Sequence, residues 1–399
     1  MSYIFVTQSS ELRDLVWRLR DAPMIAYDTE FISEGQYSSL LCLLQVASCG
    51  VHAIIDPLAV GSLDPFWNLI CDGTHEIVVH ACRCEMEFCH RAIGRLPERL
   101  FDVQLAAAFV EAEYPMGFRT LLDRTLHIDL PKDESRTAWD KRPLTSRQVE
   151  YALGDVLYLE EIADHLKRQL TRANRLDWYQ SEIAEIQSRL VHDFTSSRWR
   201  HISKSSSLNP RELAILREVW FWRDQVAQKR NSPPSRFLRD DLLIELARRK
   251  TSDPKRIAAV RGFQRSDLAR CIPEISEAIE YALKLPLEEL PPISDKFTFP
   301  QYSVITPLLH AAIGSLCKRE RIASQLVAGP NDIREFIAYE FGTIPDDIHP
   351  KLMSGWRAEF VGDMLHDLLN GKTTIAINPH NDDDPLIFIP RNPTNINTR

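Results

Sequence analysis

Met24–Phe31 reads MIAYDTEF. The run has the apolar character of a buried strand, yet it carries Asp28 and Glu30. Successive residues of a strand point to opposite faces, so these two acids share one face. Two close carboxylates in a poorly hydrated place repel each other and lose hydration. Three arrangements resolve the conflict: one acid keeps a proton, basic side chains pair with both, or a metal ion sits between them. A fourth avoids it, with the stretch as an edge strand and both acids in water.

Working outward, Leu40–Ser48 (LLCLLQVAS) and Val51–Asp56 (VHAIID) flank Cys49–Gly50 and read as a hairpin. Glu76–His80 (EIVVH) is a further short strand. Helical patterns cover Ser10–Arg20, Cys84–Ile93, Val103–Val110, Arg147–Gln169 and Leu176–Phe194. The first 195 residues therefore form an α/β or α+β unit on a mixed sheet. The polar break Ser203–Pro210 (SKSSSLNP) reads as a linker. An all-helical module follows over 211–290, then a Pro-rich break, then a second helical module over 300–371. The Pro/Asn-rich tail, 372–399, is expected to be partly disordered.

The 399 residues suffice for two or three domains, and the composition is that of an ordinary globular protein, 44% hydrophobic and 26% charged. No apolar run has the length of a membrane span, and the N-terminal MSYIFVTQSSELRDL has neither the basic start nor the apolar core of a signal peptide. The expected location is cytoplasmic. Eight cysteines in a chain this long do not suggest a disulfide scaffold. No Walker-type glycine loop is present, so no nucleotide cofactor is expected. The net charge of −8 hides an asymmetry: Arg198–Arg270 holds 18 Lys or Arg against 8 Asp or Glu, a local +10, which leaves −18 on the rest. A basic module beside acidic ones fits polyanion binding, although a solvated helical face gives the same count.

Metal-dependent phosphodiester hydrolysis uses carboxylates that converge on two ions about 3.5–4 Å apart. Asp28 and Glu30 supply two. Tyr151 and Asp155, four apart in a helical stretch, share one face. A lone Tyr-x-x-x-Asp is ordinarily surface decoration, and its weight comes from the company it keeps. D-x-E at 28–30, His80–Glu87 (HACRCEME), Phe101–Ala107 (FDVQLAA), Glu134–Thr137 with Trp139, Arg142–Thr145 (RPLT) and Tyr151-x-x-x-Asp155 occur in the order and spacing of the ribonuclease D family. That family belongs to the tyrosine-containing subgroup of the DEDD superfamily and consists of 3′→5′ exoribonucleases. The resemblance runs from residue 1 to about 370. Leu216–Pro233, Asp241–Leu243 and Arg261–Phe263 look like the helicase-and-RNase-D C-terminal (HRDC) domain, and Ser354–Arg357 (SGWR) looks like the family's C-terminal segment.

The resemblance implies a mixed-sheet, ribonuclease H-like exonuclease domain followed by two HRDC-type helical domains. It implies that Asp28, Glu30 and Asp155 hold two divalent ions, Mg²⁺ or Mn²⁺, and that Glu85 supports the second. Glu85 is a departure, because the family's second motif usually supplies an aspartate. A carboxylate displaced by about 1 Å can slow catalysis roughly a hundredfold. Tyr151 is expected to orient the attacking water or accept its proton; a free tyrosine, with a pKa of about 10, is a poor base at neutral pH. Arg136 is a candidate phosphate contact, with a salt bridge as its alternative role. Lys229, Arg230, Arg248 and Arg249 are candidate phosphate contacts in the first helical module, alongside Arg236, Arg239 and Lys250.

The implied partner is RNA with a free 3′ end, tRNA precursors above all, trimmed to nucleoside 5′-monophosphates. The competing readings are a catalytically weak nucleic-acid-binding protein and a DNA exonuclease. Three weaker features read as structural. His80, Cys82, Cys84, Cys89 and His90 depart from structural-zinc spacings. Trp220 and Trp222, at a helix start, read as core, and Asp382–Asp384 as a solvated turn.

Overall fold

The computed structural model describes residues 2–130, 137–195, 198–263, 265–292, 300–344, 348–381 and 384–391. Its centre is a six-stranded mixed sheet, β1 (Ile4–Val6), β2 (Met24–Ile32), β3 (Leu40–Ser48), β4 (Val51–Ile55), β5 (Glu76–Val79) and β6 (Leu100–Asp102), in the order β1-β4-β3-β2-β5-β6. The strand containing MIAYDTEF is thus internal, and the edge-strand reading falls. Its first half is buried on both faces at Ile25, Ala26 and Tyr27, which explains its unbroken apolar run. β2 runs antiparallel to β3 and parallel to β5, but its pairing with β5 stops at Ala26↔Val78. Asp28 and Glu30 therefore project beyond the carboxyl end of a parallel neighbour, where α/β sheets form their binding crevices.

The principal helices are α1 (Ser9–Leu19), α2 (Asp64–Asp72), α3 (Arg83–Ile93), α4 (Val103–Ala108), α5 (Phe118–Leu126), α6 (Ser146–Leu157), α7 (Leu159–Arg172), α8 (Leu176–Thr195), α9 (Pro210–Lys229), α10 (Asp240–Arg249), α11 (Ile272–Lys284), α12 (Ile305–Glu320), α13 (Pro330–Glu340) and α14 (Asp363–Leu369). Among the described residues none is long and apolar enough to cross a membrane. The single helix expected over Arg147–Gln169 is two, broken at Tyr158, where φ is −108° and ψ 1°. The break turns α6 across β3 while α7 packs its Leu159, Ile162, Leu166 and Leu170 face into the main core. No Gly or Pro announces it. β1 and β6, three residues each, are too short to show a period of two.

Residues 199–290 close their own core around Leu213, Leu243, Ile275 and Ile279. The stretch expected as an open linker is instead folded into short 3₁₀ turns with Ser205 buried. Trp220 and Trp222 lie mid-helix in α9, half-buried against that core. The second helical module shares its core with the sheet: Ile313, Phe336, Trp356 and Leu365 belong to the same buried cluster as Ile25 and Val78. The tail forms an antiparallel hairpin, β7 (Thr373–Ile377) with β8 (Leu386–Pro390), and Asp384 pairs with Arg319.

The junction between α8 and the second module is a buried ion pair. Arg357 meets Glu182 at 2.8 Å, each 3% exposed. Arg357 also donates to the carbonyls of Leu326 and Val327, and Trp356 Nε1 donates to Glu182 at 3.0 Å. Burial alone would raise the Glu182 pKa; the hydrogen bond and charge of Arg357 outweigh it and hold the group ionised. Arg357→Ala, which strands a buried carboxylate, is expected to lower stability by about 3–5 kcal/mol. The pair replacement Glu182→Leu with Arg357→Met should recover most of it, measured by urea unfolding. Equal losses in both variants would show that the ion pair is not what joins the modules.

Candidate active site

Two carboxylates outside the group of Asp28, Glu30 and Asp155 position the site's backbone. Asp102 ends β6 and caps α4, accepting from the N–H groups of Gln104 (2.9 Å) and Leu105 (3.3 Å). The same side chain accepts from Ala81 N (3.1 Å) and Cys82 N (2.9 Å), which pins the turn between β5 and α3. Ala81 is held there at φ 63°, a left-handed conformation costly for a residue with a Cβ. This turn aims α3, and with it Glu85, at the end of β2.

Asp56, at the end of β4, does the equivalent for the other wall. Arg142 makes a two-pronged ion pair with it, Nη2 to Oδ1 at 2.8 Å, and also donates to the Cys42 carbonyl at 2.8 Å. The chain then enters α6 through a capping box, in which Gln148 N donates to the Thr145 hydroxyl and Thr145 N to the Gln148 side chain. Ala152 and Leu153 of α6 bury against Leu43 and Ile54 of the sheet. Tyr151 and Asp155 are thereby turned toward β2.

The product is a pocket of about 360 Å³ that contains Asp28, Glu30, Glu85, Tyr151 and Asp155. One carboxylate oxygen each from Asp28, Glu30 and Asp155 lies within 4.8 Å of the other two. Among the described residues this is the one such grouping of His, Cys, Asp or Glu. The suggestive His/Cys cluster at 80–90 makes none. Its Cys82 and Cys89 are buried free thiols, and Cys89 faces Cys71 at 3.5 Å.

Glu85 lines the pocket but is not part of the three-acid group. Its Oε1 accepts from the Thr29 hydroxyl at 3.0 Å, while its buried Oε2 has no partner. Burial lifts its pKa to about 7. Asp28 is raised as well, first by burial and then by the charge of Glu85. The pocket thus concentrates negative charge, with one oxygen left without a hydrogen bond. An all-oxygen donor set short of positive charge suits a hard divalent cation.

Sequence reasoning assigned no role at the pocket to three residues, Asp102, His80 and Thr29. His80 Nε2 bonds the Met116 carbonyl at 2.9 Å and meets Phe118 edge-on, and burial holds its imidazole neutral by lowering its pKa. Thr29, which restrains Glu85, is the third. Only Asp102 carried a legible signal, an Asp immediately before a helical run.

Of the candidate RNA contacts, Arg136 lies outside the described residues. Lys229 and Arg230 are exposed at the end of α9, with Arg230 over the Phe237 ring at 4.5 Å. Arg248 and Arg249 end a different helix, α10, where they bond Ser207 and Glu245.

A family model described as 3′–5′ exonuclease matches residues 3–171, and an HRDC-domain model matches 212–279. The class is thus a 3′–5′ exonuclease with an appended HRDC domain. Ribonuclease D of Nitrobacter hamburgensis is 31% identical over 378 residues, covering 93% of this chain and 96% of the relative. The crystal structure of Escherichia coli RNase D, described as an exoribonuclease involved in structured RNA processing, superposes with a TM-score of 0.79 at 28% identity, covering 93% and 99% of the two chains. The catalytic core of RRP6 from Trypanosoma brucei shares the fold at a TM-score of 0.51 and 21% identity, over 71% of this chain and 80% of that one. The chain belongs to the ribonuclease D family and is a 3′–5′ exoribonuclease.

The raised pKa of Glu85 has a stability consequence. The folded state holds this proton more tightly than the unfolded chain, whose value is near 4.5. The group therefore favours folding below about pH 4.5, and that contribution is lost as pH rises toward 7. In chelator, Glu85→Gln is expected to be more stable than the parent at neutral pH by about 1–3 kcal/mol and level with it near pH 4.5. Thermal unfolding across this range checks it; parallel curves for the two proteins would contradict the assignment.

Proposed function

We propose that Asp28, Glu30 and Asp155 hold two divalent ions, Mg²⁺ or Mn²⁺, at the 3′ end of an RNA strand, with Glu85 supporting the second. The observation that carries the reading is the approach of those three carboxylates to within 4.8 Å in a pocket they share with Tyr151. Bound there, the ions supply Lewis acidity to a water and to the scissile phosphate. The protein's own part is to orient. Tyr151, one turn before Asp155, hydrogen-bonds the attacking water and fixes its approach. Glu85, tethered by Thr29, adds negative charge at the pocket wall without entering the three-acid group. Attack of water on the terminal phosphate with the 3′ oxygen as leaving group releases one nucleoside 5′-monophosphate at a time, the product that membership of the family implies.

The substrates we propose are tRNA precursors and other structured RNAs with an unpaired 3′ end, in keeping with the structured-RNA processing ascribed to the E. coli relative. Arg136, in the motif before Tyr151, is a further phosphate contact. Lys229, Arg230, Arg248 and Arg249 hold the body of the RNA through its phosphates, so binding weakens steeply with salt.

The test is digestion of 5′-labelled RNA carrying an unpaired 3′ tail, with Mg²⁺, with Mn²⁺ and with chelator. A metal-dependent ladder shortening from the 3′ end is expected, with Asp28→Ala slower by roughly a thousandfold or more. Glu85→Asp should change the rate by less than about a hundredfold in either direction. A ladder that persists in chelator or in Asp28→Ala would rule the reading out. A much larger gain on Glu85→Asp would instead mark a native site compromised by its longer acid.

A further inference from the structure

Cys71 and Cys89 form the one thiol–thiol contact among the described residues, with their sulfurs 3.5 Å apart. Of the eight free cysteines, Cys49 is exposed, Cys71 and Cys84 are half-buried, and the other five are buried. Cys71 is thus the one thiol within reach of solvent that also has a second sulfur beside it. It sits in the last turn of α2, while Cys89 lies in the second half of α3 and is fully buried. The two helices pack on each other.

A clamp holds the two sulfurs together. Arg95, just past α3, donates to Asn68 Oδ1 at 2.8 Å and pairs with Asp72, both residues of α2. Gly94, at φ 74°, supplies the left-handed turn that ends α3 and brings Arg95 round. The Arg95 carbonyl accepts from Cys89 Sγ at 3.4 Å. One residue therefore ties the end of α2 to the end of α3 beside the sulfur pair. The two thiols are also unequal. The hydrogen bond from Cys89 holds the Cys71 thiol below its ordinary pKa, and the charge of Arg95 acts in the same direction against burial. The same contact and burial push Cys89 up. The half-exposed sulfur is therefore the nucleophile and the buried one its resolving partner.

We propose that Cys71 and Cys89 form a reversible disulfide under peroxide, and that this crosslink slows the exonuclease. The Cys71 thiolate attacks one peroxide oxygen, which breaks the O–O bond and leaves a sulfenic acid. The departing hydroxide takes up a proton and becomes water. The Cys89 sulfur then displaces the hydroxyl of the sulfenic acid, which leaves with the Cys89 proton as a second water. Two electrons pass from the sulfur pair to the peroxide. A small dithiol reverses the step by exchange and ends as its own disulfide.

Bond formation draws the sulfurs from 3.5 Å to about 2.05 Å. Cys89 lies four residues after Glu85, so the two share one face of α3, one turn apart. Glu85 is held from β2 by the hydroxyl of Thr29 at 3.0 Å. A pull on α3 at Cys89 is therefore carried to the wall of the catalytic pocket. A displacement of about 1 Å there can slow catalysis roughly a hundredfold. The inference draws on the exoribonuclease activity and on the place of Glu85 in the pocket wall, and not on which acids hold metal.

The test uses the full chain, reduced, freed of metal and exposed to hydrogen peroxide, with catalase ending the reaction. Alkylation and non-reducing peptide mapping are expected to show Cys71 joined to Cys89, and the protein lighter by two hydrogen atoms. Digestion of 5′-labelled RNA with Mg²⁺ or Mn²⁺ should then be slower in kcat by about tenfold or more. RNA affinity in chelator should be unchanged, and dithiothreitol should restore the rate. Cys71→Ser, when reduced, should cut at the parent rate and lose none of it to peroxide. Cys89→Ala should take up oxygen at Cys71 without a crosslink. Oxidation of the parent that stops at an oxygenated Cys71 would overturn the inference. So would a Cys71–Cys89 bond that leaves the rate unchanged, or an equal loss of rate in Cys71→Ser, which places the damage at another residue.

Discussion

Mutual repulsion among carboxylates is the constraint around which the exonuclease domain is organised. Three acids are held within 4.8 Å, with Glu85 in the same pocket, and left to themselves they would separate or take up protons. The fold resists separation by mounting them on stiff, independently anchored supports. Asp28 and Glu30 ride on an internal strand that is bonded to β3 along this stretch and freed from β5 at the point where the acids begin. The raised pKa of Asp28 and the partnerless oxygen of Glu85 measure how far the protein alone falls short of neutralising the arrangement. That deficit is what the proposed divalent cation would make good.

The anchoring is done by acids of a second kind. Asp102 gathers four backbone N–H groups from two helix starts, and Asp56 holds the guanidinium of Arg142. Each is buried and bonded on both oxygens, so each fixes a turn. Carboxylates engaged by backbone N–H groups and by Arg142 hold the frame around the acids gathered in the pocket.

The helical modules are joined to this frame in different ways. The second is fused into it, sharing its hydrophobic core and locked by the buried Glu182–Arg357 pair. The HRDC domain keeps a separate core and touches the exonuclease domain through polar contacts around Gln36, Tyr37 and Asn231. Those contacts lie on the loop that continues the catalytic strand. The element that carries the acids is therefore the one that meets the HRDC domain.

The sequence by itself determined the strand with its two acids, the helical pair Tyr151 and Asp155, the helical modules and the family, because each is a local pattern: apolar periodicity, fixed spacing along one element, or ordered motifs. It did not determine the break at Tyr158, the two three-residue strands, the hairpin in the tail or the sharing of one core by the second module. These depend on what packs against each segment, and no residue in them marks the outcome. The tertiary structure alone decided that Glu85 is held by Thr29 while Asp28, Glu30 and Asp155 converge, and that the loop after β2 meets the HRDC domain at Asn231. Both depend on side chains more than fifty residues apart meeting in space, a distance over which spacing along the chain carries no information.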